Sequence, residues 1–462
     1  MKRPFINTFL ASLVVFALGG NSVSCKKFVE VPPPGDQLNS ELVFADSATA
    51  TSAITGMYGD MMTTGNLFTN MSTTIYAGMS ADELYSFTPS LKDEFFEDQI
   101  TQANHVNINN SFWLPSYKYI YTANLAIEKL SGTTLLSTAL RNQLMGEALM
   151  VRAFCYFYLV NLFSDVPLVT GTDYNQNGAI PRTRSGEVYQ QIITDLKNAE
   201  GLLAADYPSA ERVRPNKWTA TALLSRTYLY TGQWQEAESA ADSIINSGAY
   251  SLEPDLNNVF LKGSNETIWQ LEPVRPGFNT FEGQSILPFN ANTRPTYIFN
   301  NSVSDAFETG DLRKDAWTQT RLFAGQTLSY PYKYKVYKGD DLSEYYVVLR
   351  LAEQYLIRAE ARMQLQKFSA ARSDINIIRN RAGLDDTGAS DLPSLESAIE
   401  QERKIELLAE WGHRWFDLKR TGRADPVLAP FKGSTWQSTD VLWPIPQEQI
   451  NLNPLLIQNP GY

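Results

Sequence analysis

The sequence predicts a mainly α-helical protein built on tetratricopeptide-like helical pairs, an α-solenoid, with an irregular, loop-rich segment packed against them. Three observations predict this fold. Apolar residues recur at three- and four-residue steps along most of the chain. Two stretches repeat the pattern of small and aromatic residues that is typical of a helical hairpin. One long segment, 250–346, loses helical periodicity altogether.

The first residues have the pattern of an export signal. A basic start precedes an apolar run that is too short to span a bilayer comfortably, and small residues then lead to Cys25. We therefore predict a lipoprotein signal peptide over 1–24, with Cys25 as the lipid-bearing first residue of the mature protein. An ordinary cleaved signal with a chance cysteine is the alternative. The proline-rich residues 25–40 predict a stiff spacer before the folded part of the chain, 41–462, for which length alone would suggest two or three domains.

Composition narrows the partners and the chemistry. The formal net charge is −11, so the surface repels phosphate backbones, and no nucleic acid is expected as a partner. The apolar fraction of 43% is enough for a large core. Cys155 lies inside an apolar run, where a cysteine is more often a small core residue than a nucleophile.

Helical patterns dominate from about Glu41. A helix is predicted where one apolar stripe recurs, with members Trp113, Tyr117, Ile120, Asn124 and Ile127. The next helix is predicted from about Ser137 to Leu162, and it should be central because it is apolar nearly all round after Ala153. A further helix is predicted over about 186–204.

Two stretches predict helical hairpins of the tetratricopeptide kind. The first, 222–237, places aromatic residues on either side of a turn at Gly232. The second, 359–371, repeats the pattern with its turn at Gln366 and Lys367. Together they indicate a solenoid of paired helices. The last two predicted helices cover about 347–365 and 395–419.

Between the two predicted hairpins, residues 250–346 are rich in proline and glycine. So long an irregular insert in a compact protein is usually functional. Its aromatic residues include Trp269, Phe278, Phe281, Phe289, Tyr297, Phe299, Trp317 and Phe323.

Familiar catalytic motifs are missing from the sequence, including G-x-S-x-G, H-E-x-x-H, C-x-x-C and a glycine-rich phosphate loop. Glu402, Glu406 and Glu410 are spaced by four, and a glycosidase needs a pair of carboxyl groups. The arginines close by instead favour a partly buried ion network. Its predicted members are Arg379, Arg381, Glu402, Glu406, Glu410, Arg414 and Asp417. We therefore expect no catalytic residue, no metal and no cofactor.

Several sequence blocks are specific enough to suggest a family. In the last third they are 350–361, 379–384, 412–420 and 442–446, and earlier ones include 113–124 and 165–168. In this order and at these places they resemble the SusD/RagB family of outer-membrane nutrient-binding lipoproteins. The resemblance covers essentially the whole chain after Cys25.

The resemblance implies one α-rich domain on tetratricopeptide-like pairs, with a lipid anchor at Cys25 and a position on the outer face of the outer membrane. It also implies a glycan ligand and a SusC-like TonB-dependent transporter as partner, over which the protein closes as a lid. Members of the family bind and do not cleave. Capture of a non-glycan nutrient such as a peptide, with the same partner, and an exported glycosidase are the alternatives.

The ligand site of this family is built from variable residues, so the resemblance transfers no binding residue. Sugar recognition needs flat aromatic faces together with polar groups for the hydroxyls. Residues in segments that offer both are the candidates, namely Asp82, Tyr85, Phe87, Arg275, Phe278, Asn279, Phe281, Tyr297 and Trp317.

Overall fold

The structure, a computed structural model, describes residues 40–462. The predictions of a signal peptide over 1–24, of a lipid on Cys25 and of a spacer up to residue 39 lie outside this range. Residues 44–462 form one compact unit, whose boundary falls three residues after the predicted start of the domain at 41.

Helices carry most of the described chain. Their bounds are α1 Ser40–Val43, α2 Ser47–Met61, α3 Met71–Ser80, α4 Asp93–Glu97, α5 Gln102–Ile108, α6 Leu114–Gly132, α7 Thr138–Phe163, α8 Tyr174–Asn177, α9 Ser185–Leu202, α10 Lys217–Tyr230, α11 Trp234–Ile245, α12 Phe281–Ile286, α13 Asn301–Ser304, α14 Leu312–Trp317, α15 Leu351–Gln364, α16 Phe368–Arg381, α17 Leu392–Glu406, α18 His413–Arg420, α19 Ala424–Lys432 and α20 Gln447–Leu452. A π-helical turn, Asn109–Trp113, leads into α6.

Two stacked hairpins form the centre of the scaffold. Helices α10 and α11 are joined at Gly232, and α15 and α16 are joined at Gln366; both turn residues adopt left-handed backbone, with φ of +69° and +59°. The hairpins stack because α11 packs against α15, and α17 then covers α15 and α16. An apolar cluster holds this end together, formed by Ala359, Met363, Ala371, Ile375, Leu395 and Ile399. The predicted scaffold of helical pairs is confirmed.

Helix α7 is the core helix of the other end, as predicted. It packs between α6 and α9, and the side chain of Ser137 caps it by accepting a hydrogen bond from the backbone N–H of Leu140. Among the described residues it is the one helix that is long and apolar enough to cross a membrane, but 94% of its most apolar window is buried within the protein. Cys155 lies in this buried part.

Short strands run through the loop-rich segment and link it to the rest of the chain. They are β1 Leu84–Ser86, β2 Thr267–Leu271, β3 Tyr297–Phe299, β4 Thr318–Phe323, β5 Gln326–Pro331 and β6 Tyr346–Arg350. The antiparallel pairs are β1 with β3, β2 with β6, and β4 with β5. Strand β5 also packs against β3, so the tip of the β4–β5 hairpin comes close to the residues that follow β1.

One predicted helix, 347–365, begins too early. Residues 346–350 form strand β6, and α15 starts only at Leu351. Every residue of β6 is buried. A short, continuous apolar run fits a buried strand as well as a helix, so periodicity alone could not separate the two.

The predicted helix over 395–419 is also wrong, because the chain breaks it into α17 and α18. The intervening turn contains three residues with left-handed backbone, Ala409, Trp411 and Gly412. A Cβ atom on Gly412 would lie 2.6 Å from the Cβ of Ala77, so glycine lets the turn approach α3 closely. Glu410 therefore lies in this turn and not on one helical ridge with Glu402 and Glu406.

Candidate functional site

The three glutamates that suggested a glycosidase are bonded to buried cations. The guanidinium of Arg350 donates to Glu406 at 2.6 Å and to both carboxylate oxygens of Glu410 at 2.8 and 2.9 Å. Arg313 donates to Glu402 and, at 3.1 Å, to Glu406. All of these side chains are buried.

Arg381 and Glu266 extend this cluster. Arg381 donates to Glu406 and, at 2.6 Å, to Glu266. Burial by itself would raise the pKa of Glu406, but Arg381, Arg350 and Arg313 together hold that pKa well below its usual range. A buried carboxylate that is ionised and bonded on this scale has neither a proton to give nor access to water, so it is unsuited to glycoside hydrolysis. Arg379 joins at the edge, where it bonds Glu308 at 2.6 Å and lies 3.6 Å from Glu402.

A second ion cluster includes one of the predicted ligand residues, Asp82. Arg414 donates to Asp82 at 2.7 Å and to Glu400 at 3.2 Å, and Lys404 donates to Asp82 at 3.0 Å. Asp82 is buried. The structure therefore corrects the prediction: Asp82 ties the chain before β1 to α17 and α18, and it is not displayed to a ligand.

Asp417 lies further along α18. Arg403 donates to it at 2.7 Å and Arg420 at 2.8 Å. Arg420 also donates to Glu360 at 2.5 and 2.7 Å, which connects α18 to α15.

Four more of the predicted ligand residues are also buried, so the prediction that they contact a ligand is wrong. The indole N–H of Trp317 donates to the carbonyl of Leu256 at 3.0 Å. Asn279 accepts from the backbone N–H groups of Ser343 and Glu344 and so holds a loop. The last two, Tyr297 and Phe281, lie in the core, where Phe281 packs against Gly65. Their polar atoms and ring faces serve the fold because neighbouring segments cover them.

The remaining predicted ligand residues, Tyr85, Phe87, Arg275 and Phe278, are partly or fully exposed. The guanidinium of Arg275 lies 4.1 Å from the ring centroid of Phe278. Tyr85 lies beside Phe96, with ring centroids 5.9 Å apart. Phe87 belongs to a separate group of aromatic residues.

Phe87 and Phe323 form the centre of that group. Their rings are nearly perpendicular, at 87°, with centroids 6.0 Å apart. The guanidinium of Arg294 lies over both rings, 4.9 Å from the centroid of Phe87 and 5.7 Å from that of Phe323, and it also donates to the hydroxyl of Thr88. The geometry arises because Phe87 directly follows β1 and Phe323 ends β4.

A second aromatic pair is connected to this group through Arg321 and the loop 290–294. Arg321 donates to the backbone carbonyls of Asn290 and Thr293, both at 2.6 Å, and so fixes the loop that precedes Arg294. Phe289, at the start of this loop, is 64% exposed. Its ring lies 5.4 Å from that of Tyr337.

We call this surface the aromatic platform, formed by Phe87, Phe289, Phe323, Tyr337, Arg294 and Arg321. Sequence reasoning identified Phe87 but did not select the other five. Pro288 and Asn290 on either side of Phe289 mark a loop, but they do not show whether its ring is exposed.

Two concave surfaces elsewhere in the described domain differ in chemistry from the platform. A cleft of about 290 Å³ lies between α10, α11, α15, α17 and α18 and is lined by charged side chains. Several of those charges pair with one another, as Arg420 does with Glu360 and Arg423 with Glu400. A groove of about 380 Å³ near α6 and α20 is aromatic and uncharged. Its amides of Asn177 and Asn453 already donate to backbone carbonyls. Within residues 40–462 no group of three or more His, Cys, Asp or Glu side chains is placed to hold a metal ion.

Fold and surface together define a tetratricopeptide-like scaffold that displays aromatic rings and arginines on a loop-rich face. A family model described as "Starch-binding associating with outer membrane" matches residues 27–229, and one described as "SusD family" matches residues 241–462. The chain belongs to the SusD/RagB family.

Individual relatives agree with this assignment. SusD-like protein P2 of Formosa agariphila is 28% identical over 486 residues, which cover 92% of this chain and 94% of the relative. A SusD superfamily protein from Bacteroides vulgatus superposes with a TM-score of 0.80 at 20% identity, covering 91% of this chain and all of that one. A laminarin-binding SusD-like protein superposes with a TM-score of 0.74 at 22% identity, covering 90% of this chain and 99% of that one. At these identities the structural likeness shows the fold.

Proposed function

We propose that this protein is a lipoprotein of the outer membrane that binds oligosaccharide on the aromatic platform and delivers it to a SusC-like TonB-dependent transporter for import. Cys25 carries the lipid, and the described domain faces the outside of the cell. The protein closes over the transporter as a lid and does not itself cleave the glycan. Membership of the SusD/RagB family supports each of these statements.

One observation carries the glycan assignment. Phe289 is 64% exposed in a large folded domain, and the half-exposed rings of Phe87, Phe323 and Tyr337 share its surface. The C–H face of a pyranose ring packs on such rings, and guanidinium N–H groups donate to sugar oxygens. A relative in structure binds laminarin, which supports the same class of ligand.

The contacts of the carboxyl groups favour binding over hydrolysis. Glu402, Glu406 and Glu410 are buried, and each accepts hydrogen bonds from arginine. A glycosidase needs two carboxyl groups that flank the scissile bond, one of which carries a proton. These residues instead stabilise the scaffold.

The peptide alternative would be favoured by a pocket that is lined with free charged groups rather than with aromatic rings. The 290 Å³ cleft is lined with charges, yet Arg420 already bonds Glu360 and Arg403 already bonds Asp417. A peptide would have to break these pairs, and the desolvation of the separated charges opposes that exchange. The glycan therefore remains the favoured ligand.

Calorimetric titration of the full-length protein with laminarin, other polysaccharides and peptides tests the ligand class. We expect saturable heat with a glycan and about two- to tenfold weaker binding for Phe289→Ala, because one stacked ring contributes roughly 0.5–1.5 kcal/mol. Tyr174→Ala is the matched control, since Tyr174 is 78% exposed and lies outside the platform. Equal weakening by both substitutions, or a response to peptides alone, would overturn the proposal.

Anchoring and partnership need a separate test in cells. We expect Cys25→Ser to move the protein from the outer-membrane fraction to the soluble fraction. We also expect the lipidated protein, cross-linked in intact cells, to be recovered with a TonB-dependent transporter. Retention of Cys25→Ser in the membrane would contradict the lipid anchor, and recovery without any transporter would contradict the partnership.

A further inference from the structure

Resting on the proposed function, we infer that the aromatic platform recognises glycans that carry acidic groups, uronate carboxylates or sulfate esters, through Arg294 and Arg321. The contacts of these two guanidinium groups and the charge of the rest of the protein both favour an acidic ligand.

The two arginines differ from those of the ion clusters in their partners. Arg313, Arg350 and Arg381 each bond at least two carboxylates. Arg294 instead contacts two ring faces and a threonine hydroxyl, and Arg321 contacts two backbone carbonyls. Across residues 40–462, no Asp or Glu forms an ion pair with either of them. Their positive charge is therefore not neutralised within the described protein.

Both guanidinium groups also keep N–H donors for a ligand. A guanidinium has five N–H donors. Arg294 uses Nη2 on Thr88, and Arg321 uses Nη1 on the carbonyls of Asn290 and Thr293. Both side chains are half-exposed. The remaining donors suit the two-oxygen geometry of a carboxylate or a sulfate, which arginine binds with two parallel hydrogen bonds.

The contacts below each guanidinium hold it in place before a ligand arrives. The rings of Phe87 and Phe323 lie 4.9 and 5.7 Å from the guanidinium of Arg294 and leave its edge for an oxyanion. The backbone carbonyls of Asn290 and Thr293 likewise hold the guanidinium of Arg321 in place. A side chain that is already ordered loses less conformational entropy on binding, so these contacts favour affinity.

A binding site for neutral sugars would need a different set of polar groups. A sugar hydroxyl both donates and accepts, so a site for neutral sugars gains from protein carboxylates as well as from donors. The charged groups of the platform are donors only. The whole chain carries a formal charge of −11 and so repels polyanions in general. Attraction of an acidic glycan must therefore come from a local cationic surface such as this one.

The test uses pairs of ligands that differ only in charge: oligogalacturonate with its methyl ester, and dextran sulfate with dextran. Calorimetry on the full-length protein should give at least about tenfold tighter binding for an acidic member than for its neutral counterpart. Raising NaCl from about 0.05 to about 0.5 M should reduce that difference, since salt screens exposed charges.

Substitutions then locate the effect. We expect Arg294→Gln and Arg321→Gln each to remove most of the preference for the acidic member, while Arg184→Gln preserves it. Arg184 is an exposed arginine outside the platform, so the control makes the same change in charge. If Arg321→Gln does not fold because its loop contacts are lost, Arg321→Lys takes its place, since lysine keeps the positive charge.

The outcomes separate this inference from the proposed function. Equal affinity for the neutral and acidic members would overturn the inference and leave glycan binding intact. An acidic preference that survives both glutamine substitutions would also overturn it. Silence with every glycan, neutral or acidic, would overturn the inference and the proposed function together.

Discussion

The hydroxyl oxygen of Tyr346 lies 2.7 Å from Oε1 of Glu282 and also 2.7 Å from the backbone carbonyl oxygen of Asn70. Tyrosine has one proton for these two contacts, and the carbonyl can only accept. Both hydrogen bonds are complete when Glu282 carries a proton of its own. Burial raises the pKa of Glu282 to about 8, although hydrogen bonds from Thr74 and Tyr346 oppose the shift.

Glu282→Gln should therefore change how stability depends on pH. Between the ordinary pKa of 4.5 and the folded value of about 8, the native state binds a proton that the unfolded chain releases. Stability from this site is present at low pH and is lost as pH rises through that window. We expect the variant to gain up to a few kcal/mol relative to wild type between about pH 5 and pH 8, measured by urea unfolding. Glu97→Gln, at an exposed position, should leave the profile unchanged.

Glu406→Gln should strongly destabilise the scaffold. It weakens the hydrogen bonds from Arg313, Arg350 and Arg381 and leaves their charges buried. We expect a loss of about 3–5 kcal/mol in the free energy of unfolding. Lys118→Met breaks an ion pair with Asp60 in which Lys118 is 63% exposed, and it should cost at most about 1 kcal/mol. Similar losses for the two variants would contradict a structural role for the buried cluster.

Asp82→Asn should lower stability without changing ligand affinity. It removes the carboxylate that accepts from Arg414 and Lys404 in the buried second cluster, at a cost of about 3 kcal/mol. Phe289→Ala should weaken ligand binding without lowering stability, because its ring is mostly exposed. Thermal unfolding and calorimetric titration on the same samples check both. Weaker glycan binding by Asp82→Asn at unchanged stability would return Asp82 to the ligand site.

Two glycine substitutions should have opposite signs. Gly232→Ala places a Cβ atom at φ +69° in the first hairpin turn, and we expect a loss of about 1 kcal/mol. Gly56→Ala lies within α2 at an exposed position with no atom within 4 Å of the new Cβ, and we expect a gain of about 0.5–1 kcal/mol. Urea unfolding measures both changes. A gain from Gly232→Ala would contradict the left-handed turn.

Cys155 should be chemically silent in the folded protein. It is buried within α7, and burial raises the pKa of its thiol well above the usual value. The thiolate is the reactive form, so we expect no alkylation by iodoacetamide until the protein is unfolded in urea. Peptide-resolved mass spectrometry reads this site separately from Cys25. Rapid alkylation of Cys155 under native conditions would contradict its place in the core.

The helical scaffold could be predicted because its information is local. Helix α7 was placed to within a residue at each end by its apolar pattern. The hairpin turns at Gly232 and Gln366 were equally visible. The break between α17 and α18 was not, because the close approach of Gly412 to Ala77 joins parts of the chain that are far apart in sequence. The apolar periodicity of the sequence continues through the break between the two helices.

By itself the sequence determined the helical pairs, the family and the chemistry available for a ligand. Only the tertiary structure decided which aromatic residues face solvent. Tyr297 and Phe289 lie in the same irregular segment, yet Tyr297 is 3% exposed and Phe289 is 64% exposed. The difference arises because Tyr297 pairs within a sheet, opposite Ser86, and is covered by its neighbours. Exposure depends on contacts between distant segments, and no local pattern records them.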